Sequence, residues 1–252
     1  MICEELPDKI VRLKELYETA ERVVFFGGAG VSTESGIPDF RSEDGLYRQK
    51  YAFPPEVILS HTFFKENPKE FFRFYFDKMI YTDAKPNAAH LFLAEEEKKG
   101  KISSVITQNI DGLHQAAGSE RVYELHGSVH RNTCLRCGKK FTLADMLKQK
   151  GVVPRCGCGG VIKPDVVLYE ESLDGETIEA AVREISECDL LIVGGTSLNV
   201  YPAAGFVRFA KGKTVLVNLT ETPFDKEADL AIRAPIGKTF SALKNELARD
   251  KR

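Results

Sequence analysis

Residues Val23-Val24-Phe25-Phe26-Gly27-Gly28-Ala29-Gly30-Val31-Ser32 read as a buried strand giving way to a glycine-rich turn. Its four apolar residues, two β-branched and two aromatic, show no polar alternation, the pattern of a strand covered on both faces. The glycines stand where such a strand passes into a helix, where backbone N–H groups meet a pyrophosphate in dinucleotide-binding folds. Read as GxGxxG from Gly28, however, the position of the third glycine holds Thr33. About 20 residues further on, where a dehydrogenase places its ribose-binding acid, stand Arg48-Gln49-Lys50. The turn therefore predicts a phosphate cradle and argues against hydride transfer.

Similar apolar runs bounded by Gly, Asn or Asp recur at residues 102–107, 122–125, 165–169, 190–193 and 214–218, with a weaker one at 230–232. Helical patterns lie between several of them or flank them, over 8–20, 87–99, 177–187, 202–210 and 238–248. Such alternation predicts an α/β fold with a mainly parallel sheet covered by helices on both faces. The stretch from Gly27 to Ile102 far exceeds the dozen or so residues a crossover needs, so it holds an insertion. Its contents are a polar loop at 35–50 and an aromatic segment, Phe63-Phe64 and Phe71-Phe72-Arg73-Phe74-Tyr75-Phe76, that predicts a small helical module. A second insertion at roughly 130–162 carries a cysteine cluster.

A chain of 252 residues has room for a main domain with insertions rather than two large domains. A formal net charge of −2 provides no overall attraction to nucleic acid or anionic membranes. Arg131, Arg136, Lys139, Lys140 and Arg155 read as a solvated face, so direct nucleic-acid binding is not expected. No run approaches about 18 consecutive apolar residues, and the start, Met1-Ile2-Cys3-Glu4-Glu5, lacks the basic and apolar regions of a secretory signal. The expectation is a cytoplasmic protein without a membrane partner.

The chemistry-bearing residues gather at strand ends. Gly36-Ile37-Pro38-Asp39-Phe40-Arg41 places an acid, an aromatic ring and a guanidinium beside the phosphate turn. Gln108-Asn109-Ile110-Asp111 follows the second predicted strand, and His126-Gly127 the third, at the carboxyl edge where open α/β sheets bind ligands. A neutral histidine there can accept a proton near pH 7, which makes His126 the candidate general base. His61, His90, His114 and His130 are read as structural. Gly194-Gly195-Thr196-Ser197 and Asn218-Leu219-Thr220 add small polar groups at two further strand ends, suited to a ribose and an adenine edge. The pattern Cys134-x2-Cys137-x18-Cys156-x-Cys158 matches a tetrahedral zinc site. Four thiolates leave no open coordination position, so this Zn2+ is expected to be structural. Cys3 and Cys188 stand apart.

In order along nearly the whole chain, these segments resemble the sirtuin family of NAD-dependent protein deacylases, in its compact bacterial form. The resemblance implies a Rossmann-like, doubly wound NAD-binding domain built from 1–34, 82–129 and 163–252. It further implies a cofactor loop and helical module at 35–81 and a zinc-binding module at 130–162. It implies that NAD is a co-substrate, consumed with water and an acetyl-lysine protein or peptide to give deacetylated lysine, nicotinamide and O-acetyl-ADP-ribose. By motif matching, Ala29, Thr33, Phe40, Arg41, Gln108, Thr196, Ser197, Asn218 and Ile236 would line the NAD site. Ile110 and Asp111 would hold the nicotinamide amide, and His126 would be the base. Residues 166–169 and 199–200 resemble the two edges between which substrate peptide lies, with Tyr169-Glu170-Glu171 in place of the usual Phe-Gly-Glu. Tyr75 and Lys78 stand where members favouring acidic acyl groups resemble one another in a Tyr and an Arg. Lys does not reproduce bidentate carboxylate binding, and acetyl over succinyl is expected. The alternatives for the same pocket are mono-ADP-ribosyl transfer or NAD hydrolysis, or deacylation with a preference for longer or acidic acyl groups.

Overall fold

The structure, a computed structural model, describes residues 6–40, 45 and 53–249. The opening run forms β1 (Val23–Gly27), buried throughout. Val23 and Phe25 enter one core and Val24 and Phe26 another, which explains why the run carries no polar residue. Further along the chain come β2 (Ile102–Thr107), β3 (Val122–Glu124), β4 (Gly127–Cys134), β5 (Lys140–Thr142), β6 (Ile162–Val166), β7 (Leu190–Gly194), β8 (Lys213–Val217) and β9 (Leu230–Ile232). Six of these form a parallel sheet in the order β3-β2-β1-β7-β8-β9. That is the doubly wound arrangement, in which strand order reverses between two central neighbours, here β1 and β7, and a crevice opens beyond their carboxyl ends.

The helices are α1 (Leu6–Thr19), α2 (Pro55–Ile58), α3 (His61–Glu66), α4 (Pro68–Lys78), α5 (Ala88–Lys98), α6 (Leu113–Ala117), α7 (Leu143–Leu147), α8 (Gly175–Glu187) and α9 (Ile236–Arg249). Leu13 and Tyr17 of α1, Phe92 and Leu93 of α5, and Phe240 and Leu243 of α9 cover one face of the sheet. Ala181 and Ile185 of α8, with Phe206 and Val207 of a 3-10 segment at Ala203–Phe209, cover the other.

Several elements differ from the sequence reading, among them β5, α6 and α7, which have no predicted counterpart. The apolar run at 165–169 is no strand of the parallel sheet. Its first two residues end β6, which pairs antiparallel with β4 in a separate sheet ordered β5-β4-β6. Alternating burial along β6 and Pro164 within it suit a short edge strand rather than a central parallel one. The helical pattern at 202–210 folds as the 3-10 segment. Strand β4 has no counterpart among the predicted strands because its largely polar sequence lacks an apolar period. The boundaries at 129/130 and 162/163 fall inside β4 and β6.

The two insertions also share a core. Phe63, Phe64, Phe71, Phe72, Tyr75 and Phe76 of the helical segment pack with Cys134, Met146 and Ile162 of the cysteine-bearing segment and with Val129 and Leu168 that flank it. Among the described residues, no helix is long and apolar enough to cross a membrane.

Candidate active site

A cavity of about 930 Å³ opens at the carboxyl ends of β1 and β7, within the size range of cofactor sites. The glycine turns meet there. Gly28 and Gly30 donate their N–H groups to Gly194 O and Gly195 O, at 3.2 and 2.8 Å. A Cβ on Gly30 would stand 2.8 Å from Gly195 Cα, and one on Gly195, whose φ is +58°, would stand 2.4 Å from Val31 N. The glycines thus let two strand-end loops touch backbone to backbone. This differs from the expected cradle of free amides at a helix N-terminus. In place of that helix stand two three-residue 3-10 turns, and the Val31 and Ser32 amides also bond within the turn.

Ala29, Thr33, Phe40, Gln108, Ile110, Asp111, His126, Thr196, Ser197, Asn218 and Ile236 all line this one cavity. Arg41 lies outside the described residues. Gln108 donates from Nε2 to Thr196 Oγ1 at 3.0 Å, joining the ends of β2 and β7. Asn218 is turned back on Thr220, donating to its carbonyl at 3.0 Å.

Around Asp111 a polar network closes. Ser32 Oγ donates to Asp111 Oδ2 at 2.7 Å and accepts from Asn109 Nδ2 at 3.1 Å, while Leu113 N donates to Asp111 Oδ1 at 2.9 Å. Ser32 and Asn109 stand within the sequence motifs but carry no assigned role there. Their signal is adjacency to Gly30 and Asp111, but that both reach one carboxylate is visible only in three dimensions.

His126 follows β3. Its Nδ1 lies 2.9 Å from the Gln108 carbonyl oxygen, which can only accept. Nδ1 therefore carries the hydrogen, and Nε2 holds the lone pair in the neutral ring. Burial pushes the imidazole pKa below its ordinary 6.5, outweighing the opposing effect of the Gln108 bond. The result is a neutral ring of fixed tautomer at neutral pH, the state a proton acceptor needs.

Residues 166–169 line the cavity with Val200. The amides of Val167, Leu168 and Tyr169 are held by His126 O, a Glu171 carboxylate oxygen and Leu59 O respectively. Glu170 has a φ of +74°, a conformation suited to glycine. Its carboxylate accepts from Thr62 N and Oγ1 of α3. Tyr75 is buried among Phe71, Phe72 and Phe76.

The four cysteine sulfurs lie within 4.8 Å of one another, with Cys134–Cys158 at 3.5 Å and Cys137–Cys156 at 3.7 Å. Disulfide sulfurs would be about 2.05 Å apart, whereas Zn–S bonds of about 2.3 Å give tetrahedral edges near 3.8 Å. The set fits a zinc ion. Turns closed by Gly138 N to Cys134 O and Gly159 N to Cys156 O present the two pairs. A Cβ on Gly160 would meet Cys134 Sγ at 2.7 Å, so the one-residue spacer works only with glycine behind it.

The description "Sir2 family" fits residues 28–202. The chain is 58% identical to an NAD-dependent protein deacetylase of Clostridium acetobutylicum, over 94% of this chain and 99% of that one. It is 54% identical to one of Cutibacterium acnes, over 92% and 96%. Among solved structures it is similar to a Sir2 with deacetylated p53 peptide and 3'-O-acetyl ADP-ribose, at a TM-score of 0.89 and 40% identity, over 94% and 98% of the two chains. A Sir2 bound to acetylated peptide superposes with a TM-score of 0.85 at 40% identity, over 95% and 98%.

Proposed function

This chain belongs to the Sir2 family, and from that premise we propose that it is an NAD-dependent protein lysine deacetylase with His126 as general base. The observation that carries the assignment is the bond from His126 Nδ1 to Gln108 O, which leaves Nε2 as the proton acceptor in a cavity lined by the other motif residues. NAD, when bound, supplies a nicotinamide–ribose bond that can be broken and a ribose that can accept the acetyl group. The protein's part is to hold and orient. Ala29, Thr33, Phe40, Thr196, Ser197, Asn218 and Ile236 would hold the dinucleotide, as Arg41 would by motif. Gln108 braces Thr196 and, through its carbonyl, His126. Asp111, fixed by Ser32 and Leu113, would hold the nicotinamide amide with Ile110. His126 Nε2 would be the group that accepts a proton from a ribose hydroxyl of the bound NAD.

Acetyl-lysine protein or peptide would lie between residues 166–169 and 199–200. Because the amides of 167–169 are already bonded, backbone recognition there would run from peptide N–H groups to the carbonyls of this segment, beside contacts with Asn199–Val200 and with the side chains of Leu168 and Tyr169. Burial of Tyr75 in the aromatic core removes the tyrosine of an acyl-carboxylate clamp, which favours acetyl over succinyl. The NAD domain, the helical module at 35–81 and the zinc module at 130–162 form the working division of the chain. A cytoplasmic setting is supported by four thiols spaced for a metal rather than paired.

The purified protein, given an acyl-peptide panel with and without NAD, should form O-acetyl-ADP-ribose and nicotinamide only when NAD and acetyl peptide are both present. ADP-ribosylated protein, or free ADP-ribose without peptide, would instead identify transfer to another nucleophile.

A further inference from the structure

The loop that follows β2 is tied to the strand that follows the base. Val129 N donates to Ile110 O at 3.0 Å, a backbone bond that almost any residue at 129 could make. One position further along β4, His130 Nε2 lies 3.0 Å from the backbone oxygen of Asp111. A carbonyl only accepts, so the imidazole is the donor. The loop is shaped to receive the ring. Gly112 has a φ of +73°, and a Cβ there would stand 2.7 Å from His130 Cδ2 and Nε2. His130 and Asp111 both line the cavity, yet His130 is exposed, so the hydrophobic core does not require it. Asp111 is consequently held at three points. Ser32 and Leu113 take its two carboxylate oxygens, and His130 takes its carbonyl oxygen.

We infer that His130 is a positioning residue for the nicotinamide end of the site, fixing the Asp111–Gly112 peptide so that the Asp111 carboxylate keeps its aim. This rests on the reading of Ile110 and Asp111 as the pair that holds the nicotinamide amide. His130 itself touches no reacting atom. Its loss should therefore act on nicotinamide and NAD while sparing peptide recognition.

The test compares His130→Phe, which keeps a ring beneath Gly112 but removes the donor, with His130→Gln, whose amide nitrogen can reach the same carbonyl. Asp111→Asn reports on the underlying reading. For each variant, the nicotinamide concentration giving half-inhibition of deacetylation is measured, together with exchange of labelled nicotinamide into NAD, KM for NAD and for acetyl peptide, and the melting temperature. His130→Phe should raise the half-inhibiting concentration about fivefold, the loss of one hydrogen bond, and raise KM for NAD with KM for peptide unchanged. His130→Gln should restore both values. If His130→Phe retains the native nicotinamide response while Asp111→Asn shifts it, the inference fails and the pocket reading stands. If His130→Gln behaves as His130→Phe does, the donor is not the cause and the inference fails. A native nicotinamide response in Asp111→Asn would overturn the pocket reading itself, and the inference with it.

Discussion

His126 is readied by two opposing influences, and their balance sets its pH behaviour. The Gln108 carbonyl favours the imidazolium, but burial disfavours it more, so the folded pKa lies below 6.5. The neutral base thus persists to lower pH than a free histidine would allow. Activity should fall only as pH drops through this lowered value, which places the acid limb of the kcat/KM profile below pH 6.5. A limb centred above 6.5 would assign it to another group. His126→Ala should lower kcat by about 10²–10⁴, the range for loss of a general base, with little change in melting temperature; near-native kcat would remove His126 from the reaction. The candidacy of His126 is legible from its place after a strand run, since strand ends in open α/β sheets face ligands. The tautomer is not, because it depends on a carbonyl 18 residues away in sequence. His130 reads as structural for the same reason: its partner sits 19 residues away on a separate loop.

Elements explain why some of the fold was readable and some not. Strands β1, β2, β7 and β8 lie in the sheet interior, so long-range burial and local composition agree. Strand β4 lies in a three-stranded sheet with burial that follows no two-residue period, Ser128 and Val129 both buried and His130 and Arg131 both exposed, and β6 shares its apolar run with a loop, so neither carries a clean local signature. The glycine loops illustrate the same limit. Their composition suggests exposed amides, whereas the determining contact is between Gly30 and Gly195, far apart in sequence. Gly195→Ala places a Cβ 2.4 Å from Val31 N in a left-handed backbone. It should cost about 2 kcal/mol or more through strain and overpacking, lowering the melting temperature by about 5 °C or more at this chain length, and it should raise KM for NAD. Gly175→Ala, with nothing within 4 Å of the added carbon, serves as the neutral control. Helices α5 and α6 carry a different liability. His90 and His114 lie ring to ring at 4.7 Å, and neither nitrogen of His114 has a hydrogen-bond partner among the described residues. Burial holds their pKa values at about 4 and about 3. The unfolded chain protonates these rings near 6.5 while the folded chain does not. Their effect is therefore to reduce stability as pH falls below 6.5, by about 1.4 kcal/mol per pH unit for each ring until its folded value is reached. Denaturation between pH 7.5 and 5 should show a shallower slope for His114→Phe than for the native chain; equal slopes would exclude this source.

At the scale of the whole molecule, the two insertions act as one body. The sequence presents an aromatic helical segment and a cysteine-bearing segment separated by α5, β2, α6 and β3. In space, Phe63, Phe71 and Tyr75 from the first pack with Cys134, Met146 and Ile162 from the second in a single core. That union is not legible in the sequence, because neither apolar pattern names the surface it covers. It matters for the site, since this shared core backs Val129, which holds the Ile110 carbonyl, and Leu168, which lines the cavity beside Val200. Cys134 and Cys156 are themselves buried members of the core, so drawing four thiolates around zinc also fixes the surface on which α3 and α4 rest. Structural zinc contributes its binding free energy to folding, and here the benefit should extend beyond the segment that binds the ion. Chelation, or Cys134→Ser, should reduce hydrogen-exchange protection in β4, β5 and β6 and also in α3 and α4. Protection in β1, β7 and β8 should change little, because their core is formed with other residues. Deacetylation should fall in parallel with the loss in α4. Retained protection of α4 after zinc is removed would show that the aromatic helices stand without the cysteine module, and the single-body description would then be wrong.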